Sequence, residues 1–404
     1  MQKTIGLIKE GKIPADSRVA FTPSQIAELL QLGWDIKIES SKKRCYTDQE
    51  YASIGAQVLE DVSQQDILIG IKEVPKDKLV NGKTYFFFSH TIKEQEHNRS
   101  LLQTILTKKI TLIDYEVLTE SNGERLIAFG NWAGMVGAHN ALWTYGKRTN
   151  AFSLPRLKDL EHYSDVLSFY KNTNLPPIKI VLTGKGRVAS GAKQVLDDMQ
   201  IKQVTPDEYL TKEFVYPIYT QLDCLDYVLK KDGTSFEKKE YYQFPERFDM
   251  AFMKYLKISD IMINGIFWND KSPAFFSASE LSQTRLKLSV IADVTCDIAP
   301  NSSIPCTLRA TTIDNPVFGY HIHRMEEVDP HQKDVIDIMS IDNLPNELPR
   351  DASESFGKAF IKYILPELSK SDSDILKRGT IASNGSLTTN FEYLSNYVAG
   401  VKSH

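Results

Sequence analysis

The stretch Ile178–Asp198, IKIVLTGKGRVASGAKQVLDD, decides how this chain folds. An apolar run, Ile178–Leu182, runs into Gly184 and Gly186, and a helical pattern containing Gly191 starts across them. Glycines here allow a tight turn, let the backbone approach a pyrophosphate and permit close packing of the helix. The helix N-terminus then offers free N–H groups and the positive end of its dipole to phosphates. The spacing is GxGxxxxG rather than GxGxxG; the strand before it and the helix after it supply the context that a bare glycine triplet lacks. The stretch predicts a dinucleotide-binding turn, with Gly184, Gly186, Arg187, Ser190 and Gly191 as contacts, over a merely structural turn in an α/β domain. A ribose-binding acid is expected about 20 residues further on, at the end of the next strand. Val204-Thr205-Pro206 stands there, with Asp207 slightly late. Thr205 in place of an acid removes the repulsion that would exclude a 2′-phosphate. The cofactor expectation therefore leans to NADP, with NAD still open through Asp207.

Outward from this stretch, strand and helix patterns alternate. Thr4–Ile8 reads as a strand, and Thr22-Pro23 as an N-cap followed by proline at the first helical position. The helix SQIAELLQLG stops at Gly33. Asp35–Glu39 alternates as a strand and Thr47–Gly55 fits a short helix. DILIGIK, Asp66–Lys72, is an apolar run suited to a parallel strand covered on both faces. Tyr85–Phe88 and Thr111–Tyr115 add strands, with a helix over Lys93–Thr107 between them. Small residues in the helical pattern Phe129–Gly146 suit a helix packed closely on a neighbour, or a connector between domains. The alternation then restarts at Ile178–Thr183 and continues through a short strand at Ile201–Thr205 to strands at Ile258–Phe267 and Leu288–Val294. Residues 212–250, rich in Lys, Tyr and Glu, read as an irregular insertion, and a last helix is expected over Ala352–Leu368. This alternation predicts an α/β class with doubly wound parallel sheets.

At 404 residues, the chain has room for two or three domains of roughly 100–200 residues each. Its net charge of −4 gives no global basic field to attract nucleic acid or an anionic membrane. No stretch approaches the ~18 apolar residues of a membrane span, and the start lacks the apolar core of a signal peptide. The four cysteines, Cys45, Cys224, Cys296 and Cys306, are scattered without CxxC spacing, which argues against a disulfide framework and against a metal site. A reduced, cytoplasmic protein without nucleic-acid or membrane partners is expected.

Lys72 ends DILIGIK and His90 ends YFFFSH, so both stand at the carboxyl ends of strands, the edge where open α/β sheets place ligands. A desolvated lysine and a histidine exchange protons near neutral pH. The plainer alternatives are a surface lysine and a capping or core histidine. Arg18, in ADSRVAFTP, and Arg125, in GERLIAFG, carry the planar fork that grips a carboxylate, although most lone arginines are surface residues. Glu116 follows an apolar run as a buried acid at a third strand end. Asp293 and Asp297 end another strand, where they orient a catalytic group, touch the nicotinamide ribose or form an Asx-turn.

Taken in order, EGKIPADSRVAFTP, GIKEVP, FFFSHTIKEQ, LIDYEVL, RLIAFGNWAG, the glycine stretch and ADVTCD resemble the superfamily of alanine dehydrogenase and lysine-forming saccharopine dehydrogenase. YFFFSHTIKEQEHNRSLL, FPERF, INGIFW, SIDNLP and ASNGSL are similar to the lysine–ketoglutarate reductase domain of the bifunctional aminoadipic semialdehyde synthases. The resemblance spans nearly the whole chain. It implies two Rossmann-like domains separated by a cleft: a substrate domain of residues 1–134 plus about 343–404, and a dinucleotide domain of 135–342 with an insertion at about 212–255. It implies reductive condensation of L-lysine with 2-oxoglutarate by NAD(P)H, with an amino acid and a 2-oxo acid as small-molecule partners; homo-oligomers are compatible with it. By matching position, Lys72 and His90 become the acid–base pair, and Arg18, Arg125, Glu116 and Lys12 the substrate contacts. Gly184, Gly186, Arg187, Ser190, Gly191, Thr205, Asn264 and Asp293 become the cofactor contacts, with no metal.

The semialdehyde synthases carry a second enzyme after this region, for which 404 residues leave no room, so a monofunctional chain is expected. Glu73 occupies a position that varies among relatives and is given no role. Two alternatives stand beside the saccharopine reading: an alanine dehydrogenase or other opine-type dehydrogenase, and a non-catalytic dinucleotide-binding module.

Overall fold

The computed structural model describes residues 3–401. The chain divides into one unit of Met1–Phe129 with Pro349–His404 and a second of Gly130–Leu348. The outermost positions of the first expected domain, residues 1, 2 and 402–404, lie outside the described residues.

The first unit opens with strands β1 (Ile5–Leu7), β2 (Ile36–Glu39), β3 (Gln57–Leu59), β4 (Ile67–Ile69), β5 (Thr84–Phe87) and β6 (Thr111–Asp114). They pair in parallel in the order β3-β2-β1-β4-β5-β6. This is the doubly wound order, with its switch point between β1 and β4. The apolar runs explain why the central strands are covered on both faces. Ile67, Ile69, Phe86 and Ile113 enter one apolar cluster, while their neighbours Leu68, Tyr85, Phe87 and Leu112 enter another, as a period of two requires. Thr22 and Thr47 form the capping boxes that start helices Pro23–Gln31 and Asp48–Ser53, each stabilising by about 1 kcal/mol.

The second unit contains β7 (Lys179–Thr183), β8 (Lys202–Gln203), β9 (Ile218–Leu222), a hairpin of β10 (Val228–Lys230) and β11 (Phe248–Met250), β12 (Ile261–Asn264), β13 (Val290–Asp293), β14 (Val317–His321), β15 (Glu326–Val328) and β16 (Val335–Met339). Its main sheet runs β15-β14-β16-β13-β12-β7-β9-β8, parallel from β16 to β8. Here the chain turns from one side of β7 to the other, so the switch point lies between β7 and β12. The last strands, β17 (Thr380–Ser383) and β18 (Ser386–Leu387), extend the first sheet antiparallel beyond β6. Two mostly parallel sheets with covering helices make the chain a Rossmann-like α/β protein.

One expectation is corrected. The segment expected to be irregular carries β9, and β9 rather than β8 lies beside β7 over five residue pairs. Its sequence IYTQL hides this, because Thr220 and Gln221 interrupt the apolar run although Ile218, Tyr219 and Thr220 are all buried. The rest of the segment is folded as well. Tyr227, Tyr241, Phe248 and Phe252 enter the same apolar cluster as Val181 and Ile291. No helix of the described residues is long and apolar enough to cross a membrane.

Candidate active site

In the first unit, Lys72 follows β4, His90 follows β5 and Glu116 follows β6, so three adjacent strands deliver three functional side chains to one sheet edge. Buried Tyr115 ties these strand ends together. Its hydroxyl donates to the carbonyl of Gly70 at 2.9 Å and lies 3.3 Å from that of Phe86. Its ring packs against Phe88 and Phe356 at centroid distances of 5.0 Å.

Lys72 stands in a group of charges. Burial, reinforced by the nearby positive charges of Arg18 and Lys12, lowers its ammonium to about 8. The backbone leading into it is held by Glu10, which sequence reasoning missed. The two Glu10 oxygens accept from the N–H groups of Ile71 and Lys72 at 2.6 and 2.9 Å. Burial, with the Asp16 charge, pushes Glu10 up to about 8 against those bonds. Arg18 is buried over the Phe129 ring and gives Nε and one Nη to Asp16 at 3.0 and 2.6 Å. That fork overcomes the effect of burial and holds Asp16 at about 2. Two of the Arg18 donors are therefore committed within the protein. Lys12 pairs with Glu73 at 3.9 Å.

His90 belongs to a second group. Its Nδ1 lies 3.3 Å from Glu116, and Glu116 also meets Lys93 at 3.8 Å and Arg125 at 3.7 Å. Burial would raise Glu116, but the His90 hydrogen bond and the two cations hold it at about 2, so it is ionised. His90 has a left-handed backbone, φ 55°, a conformation that costs a non-glycine residue of order 1–2 kcal/mol and is held only where surroundings dictate it. Those surroundings are Asp114, fully buried, which accepts from the N–H groups of Ser89 and Glu116 at 2.8 and 2.7 Å. Asp114 and Lys93 were also missed, although LIDYE places an acid at the last position of an apolar strand. The Arg125 side chain is 39% exposed, and its Nε donates to the Glu116 carbonyl at 3.1 Å.

In the second unit, Gly184 has φ +97°, and a Cβ there would lie 2.7 Å from the Gly265 carbonyl oxygen. Only glycine fits this turn between β7 and the helix after it, against the residue that follows β12. The helix Arg187–Asp198 then starts with Gly186 at its N-cap. Ser190 is exposed on that helix, and its N–H is spent on the Gly186 carbonyl. Gly191 serves packing: a Cβ there would lie 1.9 Å from the Asn131 carbonyl oxygen, on helix Gly130–Thr149. The close approach is thus helix to helix.

The acid beside the glycine turn is not where the sequence spacing put it. Thr205 lies beyond the edge strand β8 and caps helix Pro206–Thr211 instead. Leu222 pairs with Thr183, its carbonyl accepts from Gly184 N–H at 2.9 Å, and Asp223 follows it directly. The ground for leaning to NADP, a missing acid, therefore falls away. Asn264 and Asp293 are fully buried and spend their side chains on a polar network. Asn264 accepts from Thr183 at 2.8 Å and donates to Asp293 at 3.0 Å; Thr295 and Thr307 donate to Asp293 at 2.7 Å each. They brace the strand ends. Asp297, a few residues on, is partly exposed. A cavity of about 480 Å³, lined by Gly184, Gly186, Asp223, Tyr242 and Ile266 among others, opens at this edge. A positive-φ glycine cradle, a helix N-terminus and an adjacent acid fit a dinucleotide. Among the described residues, no group of three or more His, Cys, Asp or Glu is arranged to hold a metal ion.

Residues 6–136 match the family described as alanine dehydrogenase/PNT, N-terminal domain. The chain is 29% identical to the alpha-aminoadipic semialdehyde synthase of Rattus norvegicus, over 94% of its own length and 46% of that protein. It is 26% identical to the saccharopine dehydrogenase [NAD(+), L-lysine-forming] of Emericella nidulans, over 93% of its length and 95% of that protein. The chain thus spans about half the length of the synthase and nearly all of the saccharopine dehydrogenase. A solved L-alanine dehydrogenase superposes with a TM-score of 0.65 at 17% identity, covering 98% of this chain and all of that one. The chain is similar to lysine-forming saccharopine dehydrogenases and has an alanine dehydrogenase-like fold.

Proposed function

We propose that this chain, similar to lysine-forming saccharopine dehydrogenases, is a nicotinamide-dependent oxidoreductase that reductively condenses L-lysine with 2-oxoglutarate. The observation that carries the proposal is the convergence of Lys72, His90 and Glu116 on one sheet edge with three further cations, Arg18, Arg125 and Lys93. The product bears several carboxylates, and a cation-rich site suits it. Arg125, with its exposed head, grips a substrate carboxylate; Lys12 and Lys93 add charge. Arg18, forked to Asp16, contributes by keeping Lys72 low.

The ε-amine attacks the keto carbon and forms a C–N bond. The resulting carbinolamine loses its oxygen as water, and the imine carbon takes a hydride while its nitrogen keeps a proton. The dinucleotide supplies that hydride when bound. This chain supplies the protons. Lys72, at about 8, gives and takes one near neutral pH. His90, with Nδ1 held by ionised Glu116, exchanges one through Nε2 as the carbinolamine oxygen departs. All four cysteines are unpaired, which suits the reducing cytoplasm as the place of this activity.

The test is oxidation of NADH and NADPH with lysine plus 2-oxoglutarate, run beside pyruvate plus ammonia. Turnover with the first pair supports the proposal. Turnover only with the second makes the chain an alanine dehydrogenase, and dinucleotide binding without any turnover makes it a non-catalytic module.

A further inference from the structure

In the first unit the catalytic groups follow β4, β5 and β6, while the ends of β1 and β2 border a separate cavity of about 550 Å³. Its lining includes none of Lys72, His90, Glu116 and Arg125. It lies at the switch point between β1 and β4, the crevice where doubly wound sheets take ligands, and its volume suits a small organic molecule. β4 and β5 are joined through a single 3-10 turn, Lys76–Lys78, where a parallel crossover ordinarily lays a helix on the sheet. The loop around that turn gives Val74 and Val80 to the cavity, and the Val80 N–H is fixed on the Tyr85 hydroxyl at 3.0 Å. With Ile8, Val62 and Leu68 they make an aliphatic wall. The end of β2 sets the polar rim. Glu39, its last residue, accepts from the Lys9 N–H at 2.9 Å and meets the Lys9 ammonium at 3.1 Å. Lys42 and Lys43 follow, exposed and in no ion pair among the described residues, whereas Lys78 meets Asp77 at 3.8 Å. Asp61, also on the rim, accepts from the Ser63 N–H and hydroxyl at 2.8 and 2.7 Å.

We infer that this cavity is a second, separate nucleotide site, for a purine mononucleotide, with the base on the aliphatic wall, the ribose at Glu39 and the phosphate on Lys42 and Lys43. An acid that ends the strand next to the first is where doubly wound sheets meet a ribose. A carboxylate has about four acceptor positions, so the Lys9 bonds leave room for ribose hydroxyls. A dinucleotide does not suit the site. β1 leads into Ile8-Lys9-Glu10-Gly11 without a glycine pair, and the next helix starts only at Pro23, where the Thr22 capping box takes up its first turn. No backbone cradle for a pyrophosphate forms there, so a phosphate depends on side chains, and two adjacent lysines without carboxylate partners supply them as point charges. Glu10 lines the same cavity while its carboxylate holds the Ile71 and Lys72 N–H groups. The site therefore adjoins the catalytic edge without taking in Lys72 itself.

The test is calorimetric titration of the full chain with AMP, without substrates and with NADH held saturating so that the glycine turn of the second unit is filled. AMP should bind saturably, one molecule per chain. Adenosine, which lacks the phosphate, should bind at least about tenfold weaker, the scale of one charge-assisted contact. Lys42→Glu with Lys43→Glu, on the exposed rim, should weaken AMP by about tenfold or more. Val80→Trp, which fills the space against the wall, should abolish AMP binding. Absence of AMP binding overturns the inference, and so does AMP binding that vanishes when NADH is added, since it belongs to the glycine turn. AMP affinity unchanged in K42E/K43E, or equal affinity for adenosine, overturns it as well. Binding is read here without turnover, so any of these results leaves the catalytic proposal standing.

Discussion

Glu10 grips Lys72 through the backbone: its Oε2 accepts from the Lys72 N–H at 2.9 Å while its Oε1 holds the preceding N–H, of Ile71, at 2.6 Å. The acid thus sets where β4 releases the lysine that the mechanism uses. Glu10→Ala should lower kcat by about ten- to hundredfold, the effect of a small displacement of a reacting group, with a lesser change in KM. Glu10→Gln keeps one of the two acceptor oxygens and should restore part of the loss at neutral pH. Steady-state kinetics of the two variants at pH 7 check this; equal losses in both would leave Glu10 without a positioning role.

Lys72 should appear in the pH profile. Its ammonium is brought to about 8, so kcat/KM should show an ionisation near that pH which vanishes in Lys72→Met. In K72M turnover should fall by about 10²–10⁴-fold, the scale of general acid–base catalysis. Lys12→Met removes a positive charge that opposes protonation of Lys72, so the same ionisation should move to higher pH. A downward move would contradict the assigned electrostatics.

Glu116 gives a stability prediction with a definite sign. Its folded-state value, about 2, lies below the ordinary 4.5, so its ionisation favours the folded state at pH above 4.5. That contribution is lost as pH falls from 4.5 through about 2. Glu116→Gln should therefore cost more stability at pH 7 than near pH 2.5, measured by denaturant unfolding. It should also lower turnover by releasing His90. A stability cost that does not shrink on acidification would contradict the ion pairs drawn here.

The two glycines should separate packing from binding. Gly191→Ala drives a Cβ to 1.9 Å from the Asn131 carbonyl oxygen and should destabilise the second unit by about 2 kcal/mol or more, as overpacking does. Gly184→Ala meets both a left-handed φ and the Gly265 carbonyl, and should weaken dinucleotide binding at the turn itself. Thermal unfolding and NADH titration of both variants check the distinction.

Much of this was legible in the sequence, for physical reasons that differ by element. DILIGIK, YFFF and TLID announce themselves because a parallel strand buried on both faces has no polar alternation to confuse it, and their last residues lead directly to Lys72, His90 and Glu116. The glycine turn is equally plain, since Gly184 occupies a backbone conformation that other residues resist. β9 was illegible because IYTQL is only partly apolar and lies beside a stretch rich in lysine and tyrosine. Missing β9 meant missing Asp223, since the acid belongs to the strand that is adjacent in space, not next in sequence. Glu10 and Asp114 act on backbone N–H groups, a role that leaves no spacing signature. Asn264 and Asp293 enter as cofactor contacts through the resemblance; the structure shows the Asn264 amide donating to the Asp293 carboxylate.

The central claim is tested most directly by isolating the product formed from L-lysine, 2-oxoglutarate and NADH and measuring its mass. The account predicts saccharopine, one molecule for each NADH oxidised, with none formed by K72M. NADH consumption by pyruvate and ammonia, with no saccharopine from the first mixture, would contradict it.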